Sequence, residues 1–222
     1  MGLKMMRKTS YGFVMRSLLL YAGMPLLILI LGNYPDRALY KEIISVINIL
    51  AFCLLTGQIY WSRVNDFAVE SLRARNLISL HNIVGYICVG VLFLHPFLLV
   101  LPRFFEKGIS PGEALFTLLS TFSSKGVVLG IIAWLLMLVI GTTSVFRRKL
   151  PLRYKDWRAF HGLLSVLFII VGTWHAIDLG RHAGVAMSCL FIIFTGGGVV
   201  LLLITEYAAG KLKKPELNNE SC

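Results

Sequence analysis

The stretch HNIVGYICVGVLFLH, residues 81–95, begins and ends in histidine and carries no charged residue between them. The stretch HGLLSVLFIIVGTWH, residues 161–175, repeats the arrangement. Fourteen helical residues rise about 21 Å, and fourteen steps of about 100° leave a net rotation of about 40°, so both histidines of a stretch share one helix face. Two such helices side by side present two His/His sites, one above the other, near opposite faces of a bilayer core about 30 Å thick. Ionisable residues inside membrane spans are costly and are functional candidates by default. Neutral imidazole is an axial haem ligand, and two of them saturate the iron of an electron-transfer haem. The pattern predicts His81 and His161 as ligands of one b haem, and His95 and His175 as ligands of a second. The two haems would stack between the third and fifth helices of a membrane bundle.

The rest of the chain agrees with a membrane setting. It has 222 residues, 57% of them hydrophobic, and a mean hydropathy of +0.76. Apolar runs fall at roughly 15–32, 40–60, 77–101, 127–146, 160–179 and 183–206, each near the 20 residues that a span needs. The expected fold is an all-α membrane protein, a six-transmembrane-helix bundle. Its layout would be a cytoplasmic N-terminus over 1–14, a six-helix haem domain over 15–206 and a cytoplasmic tail over 207–222. The basic start (Lys4, Arg7, Lys8, Arg16) resembles a signal peptide, but no small-x-small site follows Leu31-Gly32-Asn33, so a retained first span is expected. Pro25 and Pro96 lie inside spans, where neighbouring groups satisfy the carbonyls they free.

The formal charge of +11 sits between the apolar runs, which points to topology and away from nucleic acid. With the N-terminus inside, sixteen Lys and Arg fall on the inner segments and six on the outer ones. The positive-inside rule then puts both termini in the cytoplasm. The third and fifth spans both run outward, so His81 lies level with His161 and His95 level with His175. Of the four cysteines, Cys53, Cys88 and Cys189 lie in apolar runs. The absence of CxxC argues against a disulfide framework or a zinc site, and the absence of CxxCH excludes covalent c-type haem.

Further residues are candidates by position. Gly85 and Gly162, near the first histidine of each stretch, would let a flat macrocycle approach the backbone. Cys88 and Phe168 lie midway between the two haem levels. Arg75, Arg153 and Arg158 are inner candidates for haem propionates; Arg103, Lys125 and Arg181 are outer candidates. His182 either helps Arg181 hold an outer acceptor or is an exposed loop residue. Ser110-Pro111-Gly112-Glu113 reads as a capping box with proline at the first helical position, opening a short helix at the outer surface.

Thr142-Thr143-Ser144-Val145-Phe146-Arg147-Arg148-Lys149-Leu150, followed by Trp157-Arg158-Ala159-Phe160-His161, resembles the ferric reductase-like transmembrane domain, the haem-bearing membrane part shared with NADPH oxidases. The paired histidine spacing is similar too, and the resemblance covers most of residues 40–206. It implies two b haems on the four histidines and electrons crossing from inside to outside. Fused members of that family carry flavin and NAD(P)H domains after the last span, whereas this chain has a short basic tail and no Gly-rich dinucleotide fingerprint. His95-Pro96-Phe97 imitates part of a flavin-binding motif but lies within a span. A stand-alone form is therefore expected, with a separate donor: a flavoprotein reductase, a quinol, or a flavin or quinone held at the inner face. The acceptor would be a ferric chelate or a periplasmic redox protein, and the location a bacterial inner membrane. Two other classes stay open, a quinol-linked cytochrome b subunit and a non-redox haem carrier or sensor.

Overall fold

A backbone inside a bilayer has no water to satisfy its N–H and C=O groups, and a helix satisfies them within the segment. The apolar runs accordingly become helices. The computed structural model describes residues 12–34, 38–63, 74–100 and 110–219, with side chains except at 62–63, 74–77, 119 and 206–219. The described helices are α1 (Gly12–Leu31), α2 (Leu39–Arg63), α3 (Ala74–Val100), α4 (Pro111–Ser120), α5 (Lys125–Val145), α6 (Tyr154–Leu179) and α7 (Val185–Asn219). All but α4 are long and apolar enough to cross a membrane. The chain is an integral, multi-pass membrane protein with the six spans expected of it.

The largest boundary difference is at α7, which runs on to Asn219 past the expected end near 206; the next is at α6, which begins at Tyr154 and not near 160. Its first turns are charged, and Arg153 Nε donates to Asp156 Oδ2 at 2.8 Å. Hydropathy detects lipid contact, whereas helix geometry continues past it. In α1, a π-turn over Leu19–Gly23 precedes Pro25. Proline lacks an N–H and its ring crowds the carbonyl four residues back, and a wider turn relieves that conflict.

The helices pack in a closed circuit. α5 and α6 form a hairpin, α2 packs against α1, α3 and α7, α3 also meets α5, and α6 also meets α7. α3 and α6 thus face each other across a space walled by α5 on one side and by α2 and α7 on the other. Lipid tails are as apolar as leucine, so close packing and interhelical hydrogen bonds hold such bundles together. Thr173 and Thr195 share a hydrogen bond of 2.6 Å between α6 and α7, and Tyr60 donates to the Phe194 carbonyl at 2.7 Å. A Cβ on Gly172 would lie 2.8 Å from the Phe52 ring; its absence lets that ring reach the centre, edge-on to Phe168 and Phe191.

The short helix expected after Ser110 is present. Ser110 Oγ accepts from the Glu113 N–H, and Glu113 Oε2 accepts from the Ser110 N–H at 2.9 Å. The backbone hydrogen bond first, and the Ser110 side chain second, hold the Glu113 carboxyl below the usual carboxylate range. Residues 1–11 and 102–109, with the propionate candidate Arg103, lie outside the described residues, as does the side chain of Arg75.

Candidate cofactor site

α3 and α6 bring the four histidines together as two pairs. The ring centroids of His81 and His161 are 6.3 Å apart, with planes at 69°. Those of His95 and His175 are 6.4 Å apart, at 75°. A metal bonded to one nitrogen of each ring at about 2 Å, with about 1.1 Å more from nitrogen to ring centre, puts the centroids about 6.2 Å apart. Among the described residues no three His, Cys, Asp or Glu side chains gather at one place. A bare ion at either pair would therefore have two protein ligands, half of a structural zinc set. Two imidazoles at this separation suit a metal that brings its other ligands with it, as haem iron does.

α5 engages both histidines of α6. Ser144 donates to the Ile140 carbonyl at 2.7 Å, so its oxygen is placed to accept from His161 Nδ1, 3.2 Å away. His175 Nδ1 lies 2.8 Å from the Gly126 carbonyl. A carbonyl only accepts, so Nδ1 carries the proton there and Nε2 keeps its lone pair for a metal. This approach depends on Gly130, where a Cβ would lie 2.5 Å from His175 Cε1.

The His81/His161 pair has a second layer of support. Trp157, one turn before His161, stacks on its ring at 5.2 Å and 28°. The indole N–H donates to the Thr143 carbonyl at 3.2 Å, tying the start of α6 to the end of α5. The Arg147 guanidinium lies over Tyr154 at 4.3 Å and over Trp157 at 4.9 Å. The W-R-x-x-H block is thus a brace for its own histidine.

The His95/His175 pair opens instead on a cavity of about 680 Å³, within the size range of ligand pockets. Both histidines line it, with Phe168 on one wall and Lys41, Arg181 and His182 also in the lining. Arg181 was a sequence candidate; Lys41 was not. Arg158 and Lys125 are exposed, and Arg153 pairs with Asp156. Phe168 and Cys88 are both buried, at 7% and 2% exposure, as their midway position leads one to expect.

One sequence reading changes. His182 is not an exposed loop residue: it is 1% exposed, its Nε2 lies 2.7 Å from Glu42 Oε1, and the Tyr34 ring meets it edge-on at 4.4 Å. The short link between α6 and α7 folds inward onto the first turn of α2. The neighbour of Gly85 is the Gln58 amide, 3.7 Å from where a Cβ would stand. Sequence reasoning missed Gln58 and Ser144, although polar groups within apolar runs are the available signal. The Gly126 carbonyl, a backbone atom, has no such signal.

Residues 43–172, more than half of the chain, match the family described as ferric reductase like transmembrane component. The matched segment holds His81, His95 and His161 and ends three residues before His175. An uncharacterized protein of Archaeoglobus fulgidus is 38% identical over 157 residues, which cover 71% of this chain and 85% of that relative. No solved structure matches.

Proposed function

Because the chain belongs to the ferric reductase-like transmembrane component family, a membership that implies transmembrane electron transfer, we propose that it conducts electrons through two b haems, held by His81 and His161 and by His95 and His175. The observation that carries this reading is the separation of both pairs, 6.3 and 6.4 Å, with Nδ1 of each α6 ligand engaged by α5. When bound, a bis-histidine haem supplies one-electron transfer through its porphyrin edge and offers no open position at the metal.

The residues divide the remaining work. Ser144 and the Gly126 carbonyl aim the two α6 imidazoles, and Trp157 braces His161. Phe52, Phe168 and Cys88 fill the space between the levels and keep water out of it. Lys41 and Arg181 bring positive charge to the cavity beside His95 and His175, suited to propionates or an anionic acceptor. The Lys and Arg distribution supports both termini on the cytoplasmic side, with 1–14 and 207–222 flanking a haem domain over 15–206. That puts His81/His161 nearer the donor and His95/His175 nearer the acceptor. The donor is a separate flavoprotein reductase or a quinol, and the acceptor is a ferric chelate or a partner redox protein outside a bacterial inner membrane.

The test is haem content per chain with reduced-minus-oxidised spectra, for the parent protein, His95→Ala and His161→Ala. The expected result is two b haems in the parent and one in each variant. A parent that binds one haem or none overturns the two-level reading.

A further inference from the structure

The end of the bundle nearest His161 carries a dense group of cations. Arg147, Arg148, Lys149, Arg153, Lys155 and Arg158 fall between the end of α5 and the first turns of α6, and all are exposed. The same segment holds one carboxylate, Asp156, which pairs with Arg153. Membrane topology asks only that such charges lie in a connection between spans. It asks for no fixed arrangement among them.

Here the arrangement is fixed. Arg147–Lys149 form a single 3-10 turn, and the Lys149 N–H donates to the Phe146 carbonyl at 2.8 Å. The Trp157 N–H donates to the Arg153 carbonyl at 3.0 Å, so α6 begins directly after that turn and its short link. Tyr154 is 55% exposed and stacks on Trp157 at 6.0 Å and 23°, and Trp157 stacks in turn on His161. Spacings of three and four put these rings on one face of α6. A file of three rings therefore runs from the protein surface to a haem ligand.

Leu152 is exposed beside Tyr154. An apolar and aromatic centre within a charged rim is the composition of a protein interface, where tyrosine and arginine carry much of the binding energy. A rim of one sign steers a partner of the opposite sign into contact. Anionic lipid headgroups would satisfy the cations but give no account of the ring file.

Resting on the two-haem reading above, we propose that the cationic collar around Tyr154 is the docking surface of the separate electron donor, and that this donor is a protein with an acidic face around its redox cofactor. Docking there brings the cofactor to the exposed end of the ring file, two stacking contacts from His161. One electron moves from the donor to the ferric haem. No bond forms or breaks, and no proton is transferred.

The experiment is anaerobic stopped-flow reduction of the haem-loaded, full-length protein in nanodiscs of zwitterionic lipid. The probe is reduced flavodoxin, an acidic FMN protein, and its control is the same protein with its surface carboxylates amidated. The His95→Ala variant, left with the His81/His161 haem, isolates the first step. Haem is counted beforehand, and a parent without two haems overturns the two-haem reading and this proposal with it. Given two haems, reduction by the acidic probe is expected to be faster than by the amidated one and to slow as salt rises. Reversing Arg148 and Lys155 together (R148E, K155E) should lower the low-salt rate about tenfold and flatten its salt dependence. Tyr154→Ala should lower the rate about fivefold at every salt concentration, and Tyr154→Phe should restore it. The proposal is overturned if the two probes react alike, if the charge reversal changes neither rate nor salt dependence, or if its effect appears only in discs containing anionic lipid, which would assign the cations to headgroups.

Discussion

The two histidine levels share a ring separation and differ in almost everything around it. The His81/His161 level is braced by side chains. Trp157 stacks on His161, Arg147 caps Trp157, and Gln58 and Ser144 stand behind the two imidazoles. The His95/His175 level is open to a cavity with Lys41 and Arg181 in its wall, and its hydrogen-bond support is one backbone carbonyl. Two histidines at one separation therefore do not by themselves define their surroundings. The His81/His161 level is built from side chains that can be exchanged one at a time, whereas the other depends on backbone and on a missing Cβ.

That contrast is open to direct attack. The largest effect is expected from Gly130→Leu, which puts a side chain where the His175 ring lies: the His95/His175 haem should be lost and the other retained, as read by haem per chain and difference spectra. Equal loss at both levels would break the distinction. Next, Ser144→Ala and Trp157→Ala should weaken haem retention at the His81/His161 level alone, by about 10- to 100-fold, as for other outer-shell partners of metal ligands; competition with a haem-scavenging apoprotein measures this. A smaller effect is expected from Thr173→Val, which removes the α6–α7 hydrogen bond to Thr195 two residues along α6 from His175 and leaves the hydrogen bonds of the four histidines intact. It should lower stability by about 0.6 kcal/mol, the average for such bonds in a membrane protein, with both haem spectra unchanged in a detergent unfolding titration.

The smallest effect concerns pH. The Glu113 carboxyl is held below its usual range by Ser110, so its folded-state pKa lies below the unfolded one. Its contribution to capping α4 is complete above the unfolded value, about 4.3, and is lost as pH falls through the lower folded value. Amide exchange in residues 111–120 should accelerate only over that acid range, and Glu113→Gln should remove the dependence.

Legibility in the sequence followed the range of each interaction. The six spans were readable because lipid contact imposes continuous apolar runs. The histidine pairs were readable because a helix converts a spacing of fourteen into a shared face. The α4 cap was readable because all its partners lie within four residues. What was not readable joins distant parts of the chain: Gln58 to His81, Ser144 to His161, and Glu42 to His182. The last pairing shows why: whether a loop histidine is exposed depends on how the α6–α7 link folds against α2, about 140 residues away. The start of α6 was missed for a different reason, since its first turns are helical but charged.

The partners in each pair are eighty residues apart in the chain, His81 from His161 and His95 from His175. This fixes an order of events in biosynthesis. When α3 emerges from the ribosome, neither site exists, and neither exists until α6 has been made and laid opposite it. Assembly of both sites is therefore a late step, and a chain stopped before residue 161 carries half of each site and the whole of none.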